Sequence, residues 1–241
     1  MDARDFDGVN NVVYESTSGG ALDGVDTFTW TFWVNRDTTG DGAKVAAKRG
    51  TSGLGKQFMD SGSASSTFEM LINRATTNAR AVAAASTFTT GTWFFVGITC
   101  DASTNIKIYK GTVGGGAPAE VSYLGGIGTN PDPGSGTISS EADGNYCIGA
   151  RNSSGTDPFN GKIADFRVYN SVLSTSDMQT LMDGSSFGSP LWWIKLGEGS
   201  PETDHGSAGL NATVSGTTVV AGPVFPTSGV PNSLSMMGVG I

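Results

Sequence analysis

The chain has 241 residues, with 14 Lys+Arg against 22 Asp+Glu and a formal net charge of −8; this length supports a core without disulfide staples. The acidic balance lacks the electrostatic footprint of a nucleic-acid binder and disfavours docking on anionic lipid, and no apolar run approaches the roughly 18 residues of a membrane span. Hydrophobic residues at 37%, aromatics at 9% and 36 glycines among dense Ser and Thr argue against disorder and for an all-β chain of short strands and tight turns.

Alternation marks the strands in chain order. Phe28, Trp30, Phe32 and Val34 share one face, while Thr27, Thr29, Thr31 and Trp33 take the other. Bulk on both faces predicts an inner strand. Further strands are expected at Lys44 to Arg49, Thr67 to Asn73, Thr92 to Cys100, Ile106 to Tyr109, Asn145 to Gly149 and Lys162 to Tyr169. In the last of these Ile163 and Phe166 oppose Ala164 and Arg167. Strand-like runs every 8–15 residues or so suit a sandwich or barrel.

One helix is predicted, from Thr175 to about Met182. Ser174 is a good N-cap, Asp177 completes a capping box, Leu173 can staple against Met178, and Gly184 can close the far end. At about two turns it needs the sandwich as a support. Beyond Gly188, Leu191 to Leu196 and Thr213 to Val220 are strand candidates, and Leu234 to Ile241 forms a short apolar tail. The organisation expected is a sandwich over 1–188 and a C-terminal strand and tail over 189–241, packing on the sandwich or on a neighbouring subunit.

Cys100 and Cys147 are too few for a disulfide scaffold; one bridge and two buried thiols are both open. The start Met1-Asp2-Ala3-Arg4-Asp5 has neither a basic nor an apolar leader region, so the expectation is use without signal-directed export, or prior trimming.

Several segments together resemble the laminin-G-like, concanavalin-A-like lectin/glucanase superfamily. They are Phe6-Asp7-Gly8 with Val9 to Val13, the strand Phe28 to Arg36, the run Gly91-Thr92-Trp93 through Cys100-Asp101 with Ile106 to Tyr109, Tyr146 to Gly149, Pro158 to Asn170, and Leu173-Ser174. The resemblance covers about residues 5–184. Trp193 to Ser200 with Asp204 to Ser207 looks like a further family element that here follows the closing helix. The resemblance implies an antiparallel jelly-roll β-sandwich with one short helix.

The superfamily includes glycanases, whose acids lie on one strand as E-x-D-x-E or E-x-D-x-x-E. Glu141-Ala142-Asp143 is the nearest match, but Asn145 and Tyr146 stand where the second acid belongs. Glu198 and Glu202 read as solvated turn carboxylates. Gly184-Ser185-Ser186-Phe187-Gly188 spells a nucleophile motif on the wrong side of a helix, and His205 beside Asp204 is the chain's one histidine. One histidine and two distant cysteines exclude an ordinary zinc site.

No cofactor is expected. Calcium, held by related domains, has oxygen ligands available in Asp37 to Gly42, in Asp143 to Asn145, and in Asp7 with Asp165 if the first and closing strands pair. Sugar stacking needs an exposed ring with nearby polar groups. Tyr123 and Trp192 are the carbohydrate-binding candidates, and Phe159 belongs rather to a core turn. Lys44, Lys48, Arg49 and Lys56 read as a solvated strand end.

The function expected is non-enzymatic: a virion structural protein of a tailed bacteriophage, as capsid decoration or tail-associated adhesion protein. Its partners would be the major capsid or other virion proteins, with glycans as further ligands. A homo-oligomer such as a trimer is expected at the virion surface, the C-terminal tail serving as a clip. The alternative is a carbohydrate-binding module of a secreted bacterial glycanase or adhesin.

Overall fold

The computed structural model describes residues 1–15, 17, 20–39, 42–50, 52–61 and 67–225; the apolar tail Leu234 to Ile241 lies outside these. Two antiparallel sheets face each other as a β-sandwich, the jelly-roll class expected from the alternation. The first sheet runs β10 (Ala119–Glu120), β9 (Ile106–Gly111), β8 (Phe94–Cys100), β3 (Phe28–Arg36), β12 (Asn160–Tyr169), β1 (Asp2–Asp7) and β15 (Thr218–Ala221). β13 (Trp192–Ile194) also pairs with β12, beyond the end of β1. The second runs β14 (Ala212–Ser215), β2 (Val12–Glu15), β11 (Tyr146–Ile148), β4 (Lys44–Arg49), β5 (Gly55–Ser61), β6 (Thr67–Ile72) and β7 (Ala79–Val82).

Alternation decides what fills the space between the layers. Phe28, Trp30, Phe32 and Val34 point inward, against Val96, Ile98, Ile163, Phe166 and Val168 of their own sheet and Phe58, Phe68, Met70 and Tyr146 of the other. The opposite face of β3 presents Trp33, which joins Phe95, Ala164 and Tyr169 in a second apolar layer on the outside of the first sheet. Bulk on both faces of β3 thus reflects burial on both faces, and the strand lies in mid-sheet between β8 and β12.

The cover of that outer layer is α1 (Thr175–Met182). Ser174 caps it, and the reciprocal bonds with Asp177 form the predicted box. Leu173 and Met178 sit in the same apolar cluster. Its two methionine sulfurs rest over Gly97 and Gly111, within 2.3 and 2.2 Å of where a Cβ would stand. The missing side chains form the seat that a two-turn helix needs.

Two expectations are corrected here. Lys48 and Lys56 are not a solvated strand end: both are fully buried on the inward face of the second sheet. Lys48 pairs with Glu15 at 3.2 Å and Asp23 at 2.8 Å, while Lys56 meets Glu141 and, at 3.3 Å, Asp26. Burying an ammonium costs several kcal/mol unless such partners are supplied, which explains the four acids around two lysines. Burial pushes the Glu15 and Glu141 carboxyls above the ordinary range, against the lowering effect of their lysines. Asp7 and Asp165 do not converge either: Asp7 opposes Asn160, about 15 Å along β12 from Asp165 at the usual strand rise.

Cys100 and Cys147 are buried free thiols, one facing the inter-sheet core and the other the outside of the second sheet.

Candidate functional site

β12 carries an irregularity that shapes the outer face of the first sheet. Ile163 and Phe166 both enter the core although three residues apart, so the strand must accommodate one extra residue. The register with β3 shifts between Ala164 and Arg167, and Asp165 adopts φ 54°, the left-handed region that Asp tolerates better than most. The bulge places Asp165 beside Arg167, and the two form a fork: Asp165 Oδ1 accepts from Arg167 Nε at 3.0 Å and Oδ2 lies 2.9 Å from Nη2. Both side chains are buried.

Trp193 on β13 stands directly opposite Arg167. Its indole Nε1 donates to Asp165 Oδ1 at 2.6 Å, and the guanidinium lies 4.1 Å from the ring centroid. His205 packs at a tilt 5.2 Å away. The half-buried indole, Asp165, Arg167, Lys195 and Glu198 line a cavity of about 330 Å³, closed by Asp2 and by Gly184 and Ser186 beyond the helix. This combines an apolar ring wall with charged donors and acceptors whose orientation is fixed by partners.

The loop after β13 supplies the rest. Asp204 accepts from the amides of Trp193 (3.0 Å), Gly206 (2.7 Å) and Leu210 (2.9 Å), so its carboxylate organises a turn. His205 instead meets Glu198 at 2.5 Å, and Lys195 reaches Glu198 at 2.8 Å. Slight burial alone would raise the Glu198 carboxyl, but hydrogen bonds from Lys195 and His205 outweigh it and hold the group below its ordinary range. Glu202, expected as a solvated turn acid, is fully buried: it pairs with Arg4 at 2.7 Å and accepts from the Glu198 amide at 3.1 Å. It anchors the loop.

Trp192 is corrected. It is fully buried, with Tyr146 and Phe166 rings 5.5 and 6.0 Å away and Nε1 donating to Leu210 O at 2.7 Å, so neither ring face can meet a sugar. The signal that separates the neighbours is parity: Trp192 shares its face with the core residues Ile194 and Leu196, Trp193 with Lys195. Tyr123 lies elsewhere, beside β9 and β10. Its half-buried ring packs on the core while its hydroxyl accepts from Ile108 N at 3.1 Å and donates to Glu120 at 3.0 Å. The two expected residues are therefore not brought together. Phe159 is buried in the core as expected.

The enzyme-like motifs find other uses. Glu141 and Asp143 stand in a turn between β10 and β11, with Glu141 buried on Lys56. Gly184 to Gly188 follows α1, with no strand leading into it. Among the described residues no three His, Cys, Asp or Glu side chains converge as a metal ligand set.

Residues 7–117 match a family model, Laminin_G_3, described as the concanavalin A-like lectin/glucanases superfamily. No curated protein sequence matches the chain. Among solved structures, it is similar to a candidate carbohydrate-binding protein of Bacteroides ovatus, at 19% identity and TM-score 0.61, over 91% of this chain and 59% of that one. Weaker likenesses are a heptameric SAP-like pentraxin of Limulus polyphemus (14% identity, TM-score 0.48, 89% of this chain and 95% of that one) and tailspike protein 2 of an Escherichia coli O157:H7 bacteriophage. The tailspike matches at 13% identity and TM-score 0.49, over 74% of this chain and 24% of its own. The matched segment lies within the two-sheet sandwich and is similar in sequence to that superfamily's model, and the Bacteroides ovatus neighbour shares the fold.

Proposed function

We propose that the protein binds glycans without transforming them, and that the pocket around Trp193 is where a sugar ring docks. The observation that carries this reading is one half-buried indole, locked by Asp165 and Arg167, in a cavity with Lys195 and Glu198 at its rim. A pyranose needs an apolar face for its C–H groups and hydrogen-bond partners for its hydroxyls, both held in place before binding so that little ordering entropy is lost. Glu198 accepts, Lys195 donates, and the Asp165–Arg167 fork keeps the ring from turning. The Bacteroides ovatus neighbour lends the reading support as a candidate carbohydrate binder of the same fold.

The absence of turnover is part of the proposal. Glu141 and Glu202 are each committed to a buried cation and Asp204 to three amides, which leaves these acids unsuited to proton transfer. We further propose the setting of a tailed-phage particle, with the chain as a decoration or tail-associated adhesion protein in a homo-oligomer and glycans as its external ligands. Glycan-array screening of the purified chain, followed by calorimetry with the best ligand, tests the binding site. Trp193→Ala is expected to abolish binding with the fold retained; full binding by that variant refutes the site. Quantitative mass spectrometry of purified virions tests the setting, which requires many copies per particle.

A further inference from the structure

On the outside of the second sheet, far in sequence from Trp193, a cleft of about 460 Å³ opens between the β4–β5 turn and the segments 143–145 and 151–154. Arg49 and Arg151 line it together with Asn145, Asn152 and Ser153, over a floor at Cys147. Lys44 stands close by: Asp157 Oδ2 is shared between Arg151 at 3.1 Å and Lys44 at 3.7 Å. Three cations are thus gathered around Asp157 and Asp143, on a chain whose net charge is −8.

The cations are held under mutual repulsion. Arg49 gives Nη1 to the neutral Gln57 amide at 2.7 Å, and its buried Nε has no hydrogen-bond partner. Burial, and then the charge of Arg151, draw the Arg49 guanidinium below its ordinary range; Asp157 offsets this only in part. Lys44 is lowered by burial too, with Arg49 and Arg151 adding to the effect. Three cations, Lys44, Arg49 and Arg151, stand against two carboxylates, Asp157 and Asp143, at this open cleft, and the surplus positive charge suits an oxyanion, since a fork of guanidinium N–H donors matches a carboxylate or sulfate edge. The remaining lining is amide and hydroxyl. The Asn152 carbonyl already accepts from the Ser154 and Thr156 amides at 3.1 Å, which turns its amide group into a fixed wall.

We propose that this cleft binds the carboxylate of an acidic sugar, a hexuronate unit within a glycan, with Arg49 and Arg151 as the anion-binding pair. The proposal takes the class of ligand from the glycan-binding reading but uses none of the Trp193 pocket. It is tested by calorimetry of the full chain with oligogalacturonate, with the neutral methyl ester of the same oligomer, and with sodium sulfate. Arg151→Gln, with its exposed side chain, and Arg49→Gln are compared with Trp193→Ala, and thermal melts verify each fold.

The expected result is binding of oligogalacturonate that exceeds binding of the ester, falls about ten-fold or more in Arg151→Gln, weakens with salt, and is recovered in part by Arg151→Lys. Equal affinity for acid and ester, or acid binding unchanged in both arginine variants, overturns the proposal. Sulfate binding with arginine dependence but no uronate binding also overturns it, leaving a simple anion site. Loss of uronate binding in Trp193→Ala alone would assign the acid to the other pocket and likewise refute this one.

Discussion

Exchanging the roles of two adjacent tryptophans is the sharpest test of the strand parity on β13. Truncating Trp192 to Ala empties a fully buried site among Tyr146 and Phe166, which costs ~3–5 kcal/mol for a residue of this size. The same change strips Leu210 O of its donor, adding about 1 kcal/mol. For a chain of this length that sum lowers Tm by about 10–20 °C. Truncating Trp193 removes a half-buried ring, two cation–π contacts (to Arg167 and Lys195) and one hydrogen bond, but Asp165 keeps its fork to Arg167, so the loss is about 2 kcal/mol. The binding consequences run the other way. Trp193→Ala should lose glycan affinity by at least about ten-fold, whereas Trp192→Phe, which keeps bulk in the core, should bind as the parent does. Urea denaturation gives the stabilities and calorimetry the affinities. Unaltered binding in Trp193→Ala, or abolished binding in a stably folded Trp192→Phe, would refute the reasoning.

Further outcomes follow from the buried groups. Glu15 and Glu141 have folded-state pKa values above their unfolded ones, so their protons favour the folded chain: their contribution is complete below about pH 4.5 and disappears as pH rises through the raised values. NMR titration of the glutamate carboxyl carbons should find two late-titrating groups, removed one at a time by Glu15→Gln and Glu141→Gln. Burial pushes both the Cys100 and Cys147 thiols up to about 12, so neither should react with iodoacetamide at pH 8 in the native state, while both react in urea; mass spectrometry counts the adducts. Gly149→Ala should destabilise by about 2–4 kcal/mol in chemical denaturation, because the residue has φ 82° and its Cβ would stand 2.1 Å from the Phe6 ring.

Much of the fold is legible from side-chain periodicity. The inward set of β3, the span of β4, and the helix Thr175–Met182 with its cap all follow from local chemistry: an alternating apolar face, and Ser174 three residues before Asp177. β5 is the instructive omission. Gly55 to Ser61 mixes Lys56, Gln57 and Asp60 with Phe58, which dilutes the alternation, yet each of those polar groups is buried. A lysine at an inward position is read from sequence as solvent-facing, because nothing local announces that Glu141 and Asp26 will arrive from 85 residues ahead and 30 residues behind. The same limit hid the role of Glu202, whose partner Arg4 is 198 residues away.

The candidate site divides along the same line. By itself the sequence determined that Trp193 and Lys195 share a face and Trp192 and Ile194 the other, since successive side chains in a strand must alternate. Which face would be the core, and which a pocket, depended on docking β13 against β12 beside a bulge that turns Asp165 toward the indole. Likewise Arg49 and Arg151 are ordinary cations in the chain, and only folding brings them to one cleft, with Asp157 shared between Arg151 and Lys44. Periodicity is a property of neighbouring residues and survives in the unfolded chain, whereas a site is a meeting of distant ones and exists only once the two sheets have closed.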